Sequence, residues 1–443
     1  MNKLNILGNL IESALKQGAT AADAIIIDST SLSTEIRLQK LISMERSSDT
    51  AVALRVMINQ QQAIVSTSDF AKSSLDNVIE KAIAMAKVTP ANPHLFLANK
   101  EQITKNIPKL ELFDDHEPSA NVLIEKATQT ESYALDNKQI TNSEGASAQY
   151  QANNIYFATS EGFQHSYQTS SSALSLEVLA GKDESMQTGG SYTIARFAKD
   201  LKSPEEIGRE AAKQAVDKLN PRKIVTSQMP VIFDRKAAKA LLGAFAGAIN
   251  GLSISRGTSF LIDHLGQEIF NPLINIIDDP FINKGLASRP FDAEAISGGK
   301  LNIVEKGILN NYLLDLQTAY KLKMQTTGHA SRGLSTAPNP SPSNMYIQSG
   351  SISLDEMIKS LKKGILITEI FGHGANIITG DYSQGIVGFY IENGEILYPI
   401  SEMTAAGNLK SMFKQMIPAN DLKLETSINS PSLMIETMTL GGL

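Results

Sequence analysis

The pattern of apolar residues changes character once along this 443-residue chain, near residue 225, and that change limits the folds open to it. Before it, alternating runs rich in β-branched residues are interleaved with segments whose apolar residues recur at helical spacing. After it, strand-like pieces multiply, glycine becomes frequent and helices are few. A chain of this length exceeds what one ordinary core accommodates, so two domains or three are expected. The reading is α+β: an N-terminal α/β domain over 1–225, with helices packed on a sheet, then a β-rich C-terminal domain over 226–443.

Individual elements can be placed. Leu4, Ile6, Leu7, Leu10, Ile11 and Leu15 recur at helical spacing up to Gly18. Glu12 interrupts this segment and no small-residue cleavage pattern follows, so it reads as a first helix and not as an export signal. Residues 22–69 alternate as strands, with "INQQQA" as a turn. Phe70, Leu75, Val78, Ile79 and Ile83 share one face of a helix that stops before Pro90. Another helix spans 120–136, and Tyr150 to Ala180 forms a hairpin that turns at "TSEG". Ser203 caps the next helix, Pro204 suits its first position, Glu206 completes a capping box and Pro221 forbids continuation. In the second half, "SLDEMIKSLKKG" is a helix with a Ser353/Glu356 capping box and Gly364 as its C-cap. "IENGEI" is a hairpin with Asn393-Gly394 at the tip and Glu392 and Glu395 as exposed flanks. Asp278-Asp279-Pro280 reads as a turn. The Gly-, Ser- and Pro-dense stretch 328–344 reads as loop, a linker in preference to a binding loop.

Composition and motifs exclude most chemistries. With 42% hydrophobic and 19% charged residues the chain is globular. Its net charge of −6, without long runs of like charge, lacks the footprint of a nucleic-acid or anionic-membrane binder. No stretch approaches the roughly 20 apolar residues that span a bilayer, and the cytoplasm is the expected location. The absence of cysteine excludes disulfides, thiolate metal sites and cysteine nucleophiles. No two histidines stand three or four residues apart, and His116-Glu117 is followed by Pro118, so HExxH is missing. G-x-S-x-G and the phosphate-loop pattern are absent, and Ile377 occupies the place of the third Rossmann glycine. A metal site of this chain's own would have to gather the scattered His264, His329 and His373 with nearby carboxylates.

One apolar stretch, "KALLGAFAGAING", carries no chemistry at all. Residues 235–250 suit a helix with Leu241, Leu242, Phe245 and Ile249 on a bulky side and Ala244, Gly247, Ala248 and Gly251 on a thin one. Two glycines inside a helix cost about 1 kcal/mol each relative to alanine, so close approach of another backbone is expected to compensate. Here the chain resembles the TldD/PmbA family. The segments "MPVIFDRKAAKALLGAFAGAINGLSISRGTSFL", "SPSNMYIQSGSISLDEMI", "GILITEIFGHGANIITGDYSQGIVGFYIENGEILYPISEMTAAGNLKSMF" and "ANDL" follow one another as in that family, while the N-terminal half fits the family's α/β domain less distinctively.

The resemblance implies a subunit of a two-component peptidase. In the TldD type, the helix after the "P-V-(I/V)-F" strand bears HExxxH and a C-terminal cysteine completes a metal site, whose zinc lowers the pKa of bound water to about 7. At the corresponding positions stand Gly243, Ala244 and Ala248, with Ser430 or a neighbour in place of the cysteine. That departure matches the PmbA (TldE) type. The resemblance therefore implies a non-catalytic subunit, without a cofactor of its own, pairing with a TldD-like metallopeptidase subunit that holds zinc and together admitting unfolded peptide. Arg256, Asn376 and Asp381 are the candidate peptide or partner contacts, and "GANIITGDYSQGIVGFYIEN" the surface where an extended peptide would join a sheet edge. The alternatives are an independent metal-dependent hydrolase with a non-standard site and a homodimeric peptide-binding module.

Overall fold

The computed structural model describes residues 2–372 and 374–442. Its N-terminal part consists of helix α1 (Lys3–Lys16), strands β1 (Ala21–Arg37), β2 (Lys40–Ile58) and β3 (Gln61–Thr67), helices α2 (Lys72–Ala86) and α3 (Ala120–Leu135), strands β4 (Ile140–Thr159), β5 (Gln164–Ala180) and β6 (Gln187–Ala195), and helix α4 (Pro204–Asp217). The strands form one sheet in the order β3-β2-β1-β4-β5-β6 with every pairing antiparallel. Two-residue turns at Leu38-Gln39 and Asn59-Gln60, all four residues at positive φ, join the first three strands. The capping box at Ser203 is present: the Glu206 amide donates to the Ser203 hydroxyl at 3.2 Å, and the Ser203 amide to the Glu206 carboxylate at 2.9 Å.

Strand alternation gives this sheet two buried faces. Ala22, Ala24 and Ile26 point toward α1 and α2, where Leu7, Leu10, Leu54, Val56 and Ile79 complete the layer. Further along the same face, α3 and α4 cover Leu32, Leu174 and Leu176. These two helices touch closely, since a Cβ on Gly208 would overlap the Thr130 carbonyl oxygen and lie 2.7 Å from Tyr133 Cβ. The opposite face carries Asp23, Ile25, Ala53, Arg55 and Phe157, and it is buried against the C-terminal part, which supplies Phe291 and Ala295.

The C-terminal part begins with β7 (Ser227–Phe233), α5 (Arg235–Ala248), α6 (Gly251–Arg256), β8 (Ile276–Asp278), β9 (Leu301–Glu305), β10 (Ile308–Leu309) and α7 (Leu316–Leu322). It continues through β11 (Ala330–Ser331), β12 (Asn339–Pro340), β13 (Met345–Ile347), α8 (Leu354–Ser360), β14 (Lys363–Phe371), β15 (Asp381–Glu392) and β16 (Glu395–Asn408). Helix α9 (Leu409–Lys414) and strands β17 (Met416–Pro418), β18 (Ile428–Asn429) and β19 (Leu433–Gly441) end it. The order β16-β15-β14-β7-β19-β17, with a further pairing of β16 to β19, closes the main sheet into a barrel. A second sheet runs β10-β9-β8-β13-β18. Their shared core holds Phe233, Leu241, Phe245, Phe270 and Phe413, with the Phe270 and Phe413 rings stacked at 4.2 Å. The molecule is α+β as expected, and among the described residues no helix is long and apolar enough to cross a membrane.

Three local expectations need correction. Gly364 lies inside β14 and is not a C-cap: α8 stops at Ser360, because Leu361 is extended and buries its side chain against the strand. Asp278 is the buried last residue of β8, receiving the Ser343 amide at 2.8 Å and lying 3.0 Å from His329 Nε2, so the turn begins only at Asp279. The stretch 328–344 is not a solvated linker. His329, Ser343 and Asn344 are buried in it, and the Ala330 amide donates to Asp292 at 3.1 Å.

From that stretch Arg332 reaches the N-terminal sheet. Asp23 and Arg55 stand directly opposite each other in the β1–β2 register, and the Arg55 Nε donates to one Asp23 oxygen at 2.6 Å. Arg332 takes the other oxygen, and its guanidinium lies 5.6 Å from the Phe157 ring centre. The three side chains are at most 3% exposed. Close by, burial, reinforced by the charges of Asp292 and Asp315 and opposed by Arg55, pushes the Glu294 carboxyl well above the usual carboxylate range. Asp23→Ala leaves two buried guanidiniums without their shared carboxylate, and removing one partner of such a pair costs about 3–5 kcal/mol. Urea unfolding of this variant should show a loss of that size; a loss below about 1 kcal/mol would mean that the apolar contacts alone hold the two parts together.

Candidate functional site

Helix α5 carries the positions that the resemblance aligns with metal ligands. It begins immediately after β7: the Asp234 carboxylate accepts the Ala237 amide at 2.8 Å as N-cap. Ala237, Ala238, Leu241, Leu242, Phe245 and Ala248 face the core. The other stripe runs Lys236, Lys239, Gly243 and Gly247 at three- and four-residue spacing. A Cβ on Gly243 would meet nothing within 4 Å, and one on Gly247 would meet only Ile377 Cγ2 at 3.9 Å. The expected close backbone approach is therefore absent: these glycines border open space.

The positions that the resemblance aligns with metal ligands hold no donor. Gly243 and Ala244 are partly exposed, Ala248 is buried, and the buried Ser430 hydroxyl donates to the Pro431 carbonyl at 2.7 Å. Zinc sites are built from imidazole, thiolate and carboxylate, and among the described residues no three such groups are placed so that they could hold a metal ion. These residues do not fit a zinc ion. The scattered histidines do not repair this. His329 is 1% exposed with Nε2 on Asp278 and Nδ1 2.9 Å from Thr327 Oγ1. His264 Nδ1 lies 2.7 Å from the Ile262 carbonyl in a separate small cavity beside Lys410. His373 lies outside the described residues.

What the fold does build beside α5 is a trough. A cavity of about 440 Å³ lies between β6, the start of α5, the loop after Ile282 and residues 424–429. A larger one, about 900 Å³, continues along β6, α4 and β14 and shares Tyr192, Glu210, Arg235 and Lys236 with the first. Strand β6 walls both, and in the sheet it pairs on one side only, with β5. The first cavity is lined by six cationic side chains and three carboxylates, an excess of positive charge on an acidic chain. Glu210, whose burial alone would raise its pKa, is held below the usual value by Lys236 and Lys202. Asp234, on the wall of the second cavity, is pushed up to about 6 by burial, against the pull of the Ala237 amide.

The candidate contacts chosen from sequence lie elsewhere. Arg256 is the exposed last residue of α6 and makes no hydrogen bond or ion pair with a described residue. Asn376 and Asp381 are joined through the turn before β15, the Asn376 amide donating to the Asp381 carbonyl at 2.8 Å. Asn376 Oδ1 accepts the Ile378 amide, and the Asp381 carboxylate accepts from Thr379 and Asn408, which lowers its pKa. None of the three lines the trough. Lys239, Lys202, Arg196 and Glu425 were not anticipated. Lys236 and Lys239 share one stripe of α5 with Gly243 and Gly247, but Arg196 and Glu425 reach the site from remote segments.

The molecule is a closed barrel packed against a helix-covered antiparallel sheet, with this helix at the junction. Sequence profiles of the PmbA/TldA metallopeptidase domain 1, central domain and C-terminal domain match residues 22–86, 113–219 and 226–442. The chain belongs to the PmbA/TldD family. It is 36% identical over 434 residues to the Metalloprotease PmbA homolog of Haemophilus influenzae, covering 98% of this chain and 94% of that protein. It is 34% identical to Metalloprotease PmbA of Escherichia coli O157:H7, covering 99% and 96%. A crystal structure from Bacteroides thetaiotaomicron, of a protein named as a candidate modulator of DNA gyrase, superposes with a TM-score of 0.92 at 27% identity over 99% of this chain and 98% of that one. TldE from Thermococcus kodakarensis shares the fold, with a TM-score of 0.86 at 19% identity over 98% and 99%.

Two stability measurements test this local picture. Because a methyl group at Gly243 meets no neighbour, Gly243→Ala should stabilise the protein by up to about 1 kcal/mol, the helix-propensity difference; destabilisation would reveal a close contact there. Asp234 has a folded-state pKa above its ordinary value, so its contribution to stability is full below about pH 4 and is lost as pH rises through about 6. Asp234→Asn keeps a capping side chain and removes the titration. The wild type should lose on the order of 1–2 kcal/mol relative to this variant between pH 4 and 7, allowing for solvent screening; parallel pH profiles would contradict the shift.

Proposed function

We propose that this chain is a non-catalytic subunit that pairs with a TldD-type metallopeptidase and contributes a wall of the chamber that receives unfolded peptide. The observation that carries the reading is the sequence of α5: where the resemblance aligns a histidine, a glutamate and a second histidine, this chain has Gly243, Ala244 and Ala248, and Ser430 spends its hydroxyl on a neighbouring carbonyl. The PmbA relatives carry "metalloprotease" in their names; on this reading the activity belongs to the complex, with zinc held by the partner, and the cytoplasm is its place. The same reading divides the chain near residue 225 into an N-terminal and a C-terminal domain, supported by strand pairing that, among the described strands, never joins β1–β6 to β7–β19. Arg256, Asn376 and Asp381 stay as contacts for partner or peptide on the surface away from the trough.

The test is zinc content and peptidase activity on an unfolded peptide, measured for this chain alone and after mixing with a TldD-type subunit, with native mass recorded for both. Zinc, turnover and a larger particle are expected only in the mixture. Stoichiometric zinc and turnover in the isolated chain would overturn the reading.

A further inference from the structure

The first cavity of the trough contains one cation whose charged group has no polar partner among the described residues. Lys284 holds Asp200 at 2.8 Å, Arg235 holds Glu425 at 3.4 Å, and Lys202 and Lys236 hold Glu210 at 3.4 and 3.2 Å. Arg196 donates to the carbonyls of Ser170, Gly285 and Leu286. That leaves Lys239. It is half-buried, lines the cavity from α5, and its side chain makes no hydrogen bond or ion pair with a described residue. Burial depresses its pKa, and Glu425 opposes the change only from beyond ion-pair distance. An ammonium stripped of part of its water with no contact in exchange is poised to take an anion.

The surroundings narrow the anion. The other cations are already engaged by carboxylates or carbonyls, and a single carboxylate matches the one ammonium without a partner. The free side of β6 passes along the same wall, so an extended main chain can lie beside it and present such a group to α5. We propose that Lys239 anchors a carboxylate of a peptide lying in the trough, either its C-terminal carboxylate or an acidic side chain. The proposal rests on the reading above that unfolded peptide reaches this chain, and it adds the chemical group that is recognised.

The experiment uses the full-length protein and fluorescence anisotropy with three labelled short peptides of otherwise uncharged sequence. One ends in a free carboxylate, one in an amide, and one in an amide but with a central glutamate. At least one carboxylate peptide should bind about tenfold more tightly than the plain amide, as expected for a charge-assisted contact, and which one does so identifies the source of the carboxylate. Lys239→Gln should erase the difference and Lys239→Arg should keep most of it. Three peptides that bind alike, or fail to bind, would overturn the proposal, as would a carboxylate preference that survives in Lys239→Gln. The two readings fail separately. A mixed complex that gains zinc and turnover without any carboxylate preference refutes only the anchor. A Lys239-dependent preference in a chain that never yields an active mixture refutes only the subunit role.

Discussion

The trio of Asp23, Arg55 and Arg332 fixes how the two parts of the molecule meet. A sheet strand exposes a backbone with two faces, and helices α1 to α4 can cover only one of them. The other face of β1 and β2 is apolar around Ile25 and Ala53 yet carries a paired aspartate and arginine at its centre. Burying that pair is costly unless every charge finds a partner. Arg332 takes the second Asp23 oxygen and lays its guanidinium against Phe157, which makes this buried cluster a charged contact between the two parts. The trough is a consequence, because its walls come from both parts: β6 and α4 from one, α5 and residues 424–429 from the other.

This dependence explains what could and could not be read from the sequence. Elements defined by local chemistry were legible: the Ser203/Glu206 and Ser353/Glu356 capping boxes, the Asn393-Gly394 hairpin tip and the helical spacing from Leu4 to Leu15 all rest on neighbours within a few residues. Gly364 misled because glycine suits a helix end as well as a strand, and only the packing of Leu361 against β14 separates the two. The stretch 328–344 misled more seriously. Its composition is that of a solvated loop, but His329 and Arg332 each find a partner far away in sequence, Asp278 and Asp23, and no local pattern announces such a pairing.

The same distinction runs through the candidate site. The departure at Gly243, Ala244 and Ala248 was visible in a single segment, since it concerns residues on one helix. The trough was not, since Tyr192, Glu210, Arg235 and Glu425 come together only once the docking is set. The expectation that Gly243 and Gly247 admit another backbone failed for a related reason. A glycine in a helix signals that a side chain is missing, and the signal is the same whether the vacated space is filled by a neighbour or left open. Here it is left open, with Ile377 alone at its margin.

That openness joins the two features of α5 into one surface. Lys236, Lys239, Gly243 and Gly247 form a continuous stripe, and with a rise of about 1.5 Å per residue the distance from Lys239 to Gly247 is about 12 Å, the span of three or four residues of extended chain. A polymer lying along this stripe would meet cations at one end and bare backbone at the other. Side chains at Gly243 and Gly247 would stand in its path, which gives a reason for glycine at both positions that does not require a packed neighbour. The stripe also ends at Asp234, where the helix cap and the wall of the larger cavity are the same carboxyl group, so the start of α5 and the electrostatics of the trough change together when that group takes up a proton.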